Sequence, residues 1–194
     1  MNKNKFKKKN INEFELLYND KELIAIPNMW GGNCFGCSPK NKYGLQMKVY
    51  YSEAGCVSRL VVPENYCGFE GLVHGGIIAT ILDEIAAWTL ILHLNRLGVT
   101  QTVKIDYLKP VYINQGIIAE GMIKEHKDNF VSTNALIKNQ KGDILANCES
   151  NWVLPEINTI AKITRKEPKV IEEMLETALI PIKQYNKTKS NKLI

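Results

Sequence analysis

Histidine is scarce in this chain of 194 residues: there are three, and none is spaced to pair with another for acid/base work. Cysteine is little more abundant. Five of them, an odd number at irregular spacing, do not make a disulfide framework and suit a reducing compartment. Cys34 and Cys37 form a Cys-x-x-Cys pair, but Cys56, Cys67 and Cys148 stand singly, so the second ligand pair of a structural zinc site is missing and no metal is expected. Neither flank of the pair reads as strand then helix, as a thioredoxin-like redox site requires, so packing of two small thiols is the expectation there. There is no charged start leading into an apolar core with a cleavage site, which points to a soluble, cytoplasmic protein. The longest apolar run, 77–94, is interrupted by Asp83 and Glu84, which argues against a membrane span.

Acidic residues are absent from the first ten positions, where Lys3, Lys5, Lys7, Lys8 and Lys9 account for the net charge of +5. The basicity is a property of a solvated tail. The segment before residue 30 offers one short helix and that tail, too little for a helix-turn-helix unit, so no nucleic-acid partner is expected. No internal repeat is present. An apolar content of 45% is enough for one core of ordinary size.

The most informative stretch is Val73-His74-Gly75-Gly76, followed by a run to Asn95 that is apolar on nearly every side. Such a run predicts a helix buried all round. Asp83 and Glu84 are its only charges, and no Lys or Arg lies at helical spacing to either. A carboxylate sequestered from water costs several kcal/mol unless compensated. Gly75 and Gly76 bare the unpaired amides of the first turn, where the helix dipole favours negative charge, so this is a candidate oxyanion site. Asp83 follows Gly76 by almost two whole turns and shares its face; Glu84 is rotated by about 100° and serves another purpose. His74 is read as a ring that fixes the loop through a hydrogen bond, ahead of acid/base catalysis.

Around this helix the pattern is of strands and turns. Residues 11–26 predict a short helix through Ile11, Phe14, Leu17 and Tyr18. Segments 45–51 and 56–62 predict a hairpin, and 99–108, 112–124, 130–139 and 144–154 four further strands, punctuated by Lys109-Pro110, Lys127-Asp128-Asn129 and Gln140-Lys141-Gly142-Asp143. Two strands, one long helix and four strands in hairpin order describe an antiparallel α+β domain. After Pro155, residues 169–179 predict an amphipathic helix ended by Pro181, with a frayed polar tail over 184–194. The expected division is 1–29 (basic tail and short helix), 30–155 (main domain) and 156–194 (C-terminal helix and tail).

The Cys-x-x-Cys loop with Tyr43-Gly44-Leu45, the Gly71-Leu72-Val73-His74-Gly75-Gly76 run, Asp83 and Asp106-Tyr107-Leu108-Lys109-Pro110 together resemble the hotdog-fold acyl-CoA thioesterases, in the phenylacetate-pathway (PaaI-like) branch. The resemblance covers roughly residues 30–155. It implies the hotdog fold: an antiparallel sheet of about six strands wrapped around one long central helix, here with extra N- and C-terminal helices. It implies a homodimer or dimer of dimers with sites across the subunit interface, and an acyl-CoA substrate with no cofactor beyond the coenzyme A it carries. Asp83 then corresponds to the catalytic carboxylate, the Gly76 amide assisted by Gly75 polarises the carbonyl, and Thr100 from the opposite subunit helps hold the water. Val73 falls in the substrate-binding region; where the family often carries Gln or Asn a few residues ahead of His74 this chain has Cys67 and Gly68, and Asn65 is the candidate substitute. Lys109, with Lys104 and Lys124, is a candidate for the coenzyme A phosphates. Ile77, Ile81, Trp88 and Phe69 are candidates for the acyl channel.

A thiol leaving group with a pKa near 8.5 needs no dedicated strong acid, so a carboxylate acting as general base or nucleophile, plus amides for the oxyanion, suffices for thioester hydrolysis. Two other readings stand beside it. A hotdog hydratase or dehydratase would pair a catalytic His with an acid, and a non-catalytic acyl-CoA-binding protein would bind without releasing thiol.

Overall fold

The computed structural model describes residues 23–27 and 32–191. The elements run β1 (Ile24–Ala25), β2 (Val49–Ser52), β3 (Gly55–Val61), a 3-10 turn (Glu64–Tyr66), α1 (Gly75–Leu94), β4 (Val99–Tyr107), β5 (Gly116–Lys127), β6 (Phe130–Asn139), β7 (Ile144–Val153), α2 (Ile157–Thr164) and α3 (Pro168–Asn191). The strands form one antiparallel sheet in the order β1-β2-β3-β5-β6-β7-β4. This is the α+β hotdog arrangement, with seven strands where about six were expected.

The sheet wraps α1. By length and composition that helix could cross a bilayer; here Ile81, Leu82, Ile85, Ala86 and Leu90 are wholly buried in the common core. Along β6, Val131, Thr133, Ala135 and Ile137 alternate inward toward it, the period of two that a half-buried strand shows. The helix sits so close to β5 that a Cβ at Gly121 would meet Thr89 Oγ1 at 2.5 Å and the Ile85 carbonyl oxygen at 2.8 Å. Gly121 is therefore a packing requirement. The predicted turns hold: Asp128 turns β5 into β6 with φ 55°, and Gly142 turns β6 into β7 with φ 86°. Asn95 ends α1 in the left-handed region, its amide bonded to Ile91.

Three expectations need correction. Of the helix predicted over 11–26, residues up to 22 lie outside the described part, but Ile24–Ala25 is a strand paired with Tyr50 and Tyr51. α2 was not foreseen. α3 is not stopped by Pro181 and carries the supposed tail to Asn191, because its buried stripe of Ile171, Leu175 and Ala178 continues to Ile182, and that packing outweighs the hydrogen bond that proline removes. β4, at the sheet edge, leaves Val99, Val103 and Tyr107 exposed.

Candidate active site

α1 carries Asp83 where the helix faces β4. The Thr100 hydroxyl donates to Asp83 Oδ1 at 3.0 Å. The register of β4 on β7 slips between Thr100 and Thr102, leaving Gln101 without an opposite residue; this bulge lies next to the Thr100 contact, as bulges often do beside sites. The contact is within one chain, whereas the resemblance implied Thr100 from the opposite subunit. Asp83 is half-buried and in no ion pair among the described residues. Burial pushes its carboxyl pKa up, and the Thr100 bond partly offsets the rise.

At the helix start, His74 is the N-cap, and its Nδ1 accepts the Gly76 amide at 2.9 Å. This is the loop-fixing part expected of His74, and it corrects the reading of Gly76: a bare amide was expected, and this one is already bonded to imidazole. The Ile77 and Ile78 amides bond the His74 carbonyl. Among the described residues no acceptor is found for the Gly75 amide, and Gly75 is exposed. The Tyr107 hydroxyl donates to the Gly75 carbonyl at 3.2 Å, tying β4 to this turn. Tyr107 was legible only as part of a motif.

The other predicted residues scatter. Val73 is buried, its amide bonded to the Val111 carbonyl, and fixes the approach to the helix. Asn65 is exposed in the 3-10 turn and makes no side-chain bond among the described residues. The Lys109 ammonium pairs with Asp143 at 3.0 Å and that of Lys124 with Glu149 at 2.8 Å, both at the surface. Ile81 and Trp88 are sealed in the core and so are no channel lining in the single chain, whereas Phe69 is 82% exposed. A groove of about 420 Å³ bordered by Gln101, Thr102, Ser132 and Asn151 contains none of the Asp83 site residues.

Glu84 turns the other way, toward the Cys-x-x-Cys loop. The Trp88 indole donates to Oε1 at 3.1 Å, and Cys34 Sγ lies 3.5 Å from Oε2. Burial lifts the Glu84 carboxyl from the ordinary 4.5 to about 7. Donation from the Cys37 thiol, with the Cys37 and Gly36 amides helping against burial, draws Cys34 down to about 5. Cys37 moves upward, its thiol being the donor to Cys34. None of the five cysteines is in a disulfide.

Residues 70–146 match the family model of the Thioesterase superfamily. No curated protein matches by sequence. Among solved structures, smu.793 of Streptococcus mutans UA159, bound to acetyl CoA, is 18% identical with a TM-score of 0.57, covering 66% of this chain and 97% of its own. Zebra fish thioesterase superfamily member 2 is 21% identical with a TM-score of 0.55, over 61% of this chain and 88% of its own. The Escherichia coli PaaI protein from the phenylacetic acid degradation operon is 17% identical with a TM-score of 0.53, over 56% and 83%. At these identities the likeness is one of fold.

Proposed function

With a thioesterase-superfamily match over residues 70–146 in a hotdog fold as the premise, we propose that the protein hydrolyses an acyl-CoA thioester to a carboxylic acid and free coenzyme A. The acetyl CoA held by the Streptococcus mutans relative supports a coenzyme A thioester as ligand. The observation that carries the reading is Asp83: a half-buried carboxylate, outside any ion pair among the described residues and held in place by the Thr100 hydroxyl. Its raised pKa makes it a better proton acceptor than a solvated aspartate.

Asp83 takes a proton from a water as the water oxygen attacks the thioester carbon, and the carbonyl oxygen becomes an oxyanion. The Gly75 amide, at the positive end of the helix dipole, receives that charge. Collapse of the adduct breaks the carbon–sulfur bond, and the proton on Asp83 passes to the departing thiolate. In the nucleophilic variant Asp83 attacks the carbon itself and water cleaves the resulting anhydride.

Geometry along α1 bears on how the site is assembled. Gly76 and Asp83 are seven residues apart, about 10 Å along the axis. A reacting carbon needs to lie about 3 Å from both nucleophile and oxyanion donor, so direct attack by Asp83 on a carbonyl gripped by its own helix start is out of reach. The resemblance implies sites built across a subunit interface, and the exposed edge of β4, with Val99, Val103 and Tyr107, is the edge proposed for pairing. The proposed working form is the homodimer or dimer of dimers that the resemblance implies, in the cytoplasm, with no cofactor beyond its substrate's coenzyme A.

The test is thiol release by the wild-type protein over acyl-CoAs of varied length and aromatic character. Release of free thiol together with the acid supports the reading. Binding with no release from any member favours a non-catalytic acyl-CoA-binding protein, and loss of an enoyl-CoA chromophore without thiol release favours a hydratase.

A further inference from the structure

The hydrolytic site makes no use of the cluster on the opposite side of Asp83's neighbour. Cys34, Cys37 and Glu84 bring one ligand atom each to within 4.8 Å of one another. Cys34 Sγ lies 3.5 Å from Glu84 Oε2. A tetrahedral shell with metal–sulfur bonds near 2.3 Å and metal–oxygen bonds near 2.0 Å places sulfur and oxygen about 3.5 Å apart, and two sulfurs slightly further. The Cys34–Glu84 separation matches that of a coordination shell, and the third ligand atom lies within 4.8 Å of both.

The loop is shaped for this approach. Gly36, between the two cysteines, has the Glu84 carboxylate where its Cβ would be, 2.4 Å from Oε2 and 2.6 Å from the carboxyl carbon. Any larger residue would push the carboxylate off the sulfurs. The turn is held by the Ser38 amide on the Cys34 carbonyl, and the Leu45 and Met47 amides on the Phe35 and Gly36 carbonyls lace it to the following segment. Trp88 Nε1, at 3.1 Å, fixes the other carboxylate oxygen, the outer contact that orients a ligating group. Glu84 is in no ion pair among the described residues, so no Lys or Arg offsets this carboxylate beside two thiols. Cys37 is 3% exposed while Cys34 is half-buried, which leaves an outward side for a solvent ligand.

We propose that Cys34, Cys37 and Glu84 form a binding site for a thiophilic divalent cation of the zinc class, with two thiolates, one carboxylate oxygen and one solvent-facing position. The sulfur pair selects against magnesium and calcium, which take oxygen shells. The ion clasps the loop to α1 one residue past Asp83. The sequence showed two of the three ligands; the third was hidden because only the fold brings residue 84 to residue 34.

The experiment uses the full chain, reduced and stripped with chelator, titrated with Co²⁺ and then displaced by Zn²⁺ in competition with a chromophoric chelator. The expected result is one ion per chain, with the visible bands of tetrahedral Co²⁺ and thiolate-to-metal charge transfer. Cys34→Ser should about halve the charge-transfer intensity. Glu84→Gln keeps an oxygen for the Trp88 bond and should retain the charge transfer while weakening Zn²⁺ at least about tenfold, the lower end of what loss of an outer contact costs. Circular dichroism confirms that both variants fold. No binding by the reduced wild-type chain would overturn the proposal, as would binding unaffected by both variants. So would ready formation of a Cys34–Cys37 disulfide by a chain that takes up no metal when reduced.

Discussion

Replacing Glu84 by glutamine tests how strongly the fold disfavours a charge at this position. The side chain keeps its shape and can still accept the Trp88 indole bond of 3.1 Å, so the chief change is in titration. Burial raises the Glu84 carboxyl from 4.5 in an ordinary setting to about 7 in the fold. Between those values the folded chain holds a proton that the unfolded chain has released, so stability falls as pH rises through the window. Below it nothing is lost, and above it the whole cost is present. At about 1.4 kcal/mol per pKa unit this amounts to about 3 kcal/mol at most. In metal-free, reduced protein at fixed concentration, Glu84→Gln should therefore be more stable than wild type at pH 8 by up to about 3 kcal/mol. For a chain of this size, that is roughly 6–12 °C in Tm. At pH 5 the difference should shrink to about 1 kcal/mol or less. Urea unfolding of both proteins at the two pH values decides it. A gap that does not change between pH 5 and pH 8 would refute this, because its source is a carboxyl whose titration is shifted upward by burial and, after it, by Cys34.

Thr100→Val removes the donor that partly offsets the rise of the Asp83 carboxyl; the acid limb of kcat/KM should move to higher pH, as a pH–rate profile would show. Gly121→Ala drives a methyl into Thr89 Oγ1 and the Ile85 carbonyl; overpacking of this kind costs about 1–3 kcal/mol, read as a lower Tm. Val103→Lys puts a charge on the exposed apolar edge of β4; light scattering should show a smaller assembly, with thiol release falling in parallel.

The core of the fold was legible because its signals are local. The apolar run behind His74-Gly75-Gly76 predicts a helix buried all round, and Asp128 and Gly142 mark their hairpins by backbone preference alone. Asp83 could be singled out because a charge amid that run has no neighbour in sequence to neutralise it. What escaped was set by tertiary contact. Pro181 reads as a stop until Ile182 is seen to pack with Ile171 and Leu175. The Gly76 amide reads as bare until the His74 ring is placed on it. Thr100 came from the family resemblance, but the bulge beside it and its bond within the same chain appear only with the strand register. Glu84 had no visible partner because those it has, Cys34 and Trp88, come from a distant loop and from one turn along its own helix.

The central claim is that the Asp83 carboxylate moves the proton, or makes the bond, that splits the thioester. The direct measurement is Asp83→Asn, which keeps an oxygen for Thr100, assayed for both acyl-CoA affinity and turnover. Affinity within a few-fold of wild type with kcat lower by about 10²–10⁴-fold is the predicted outcome. Turnover undiminished in Asp83→Asn would contradict the account.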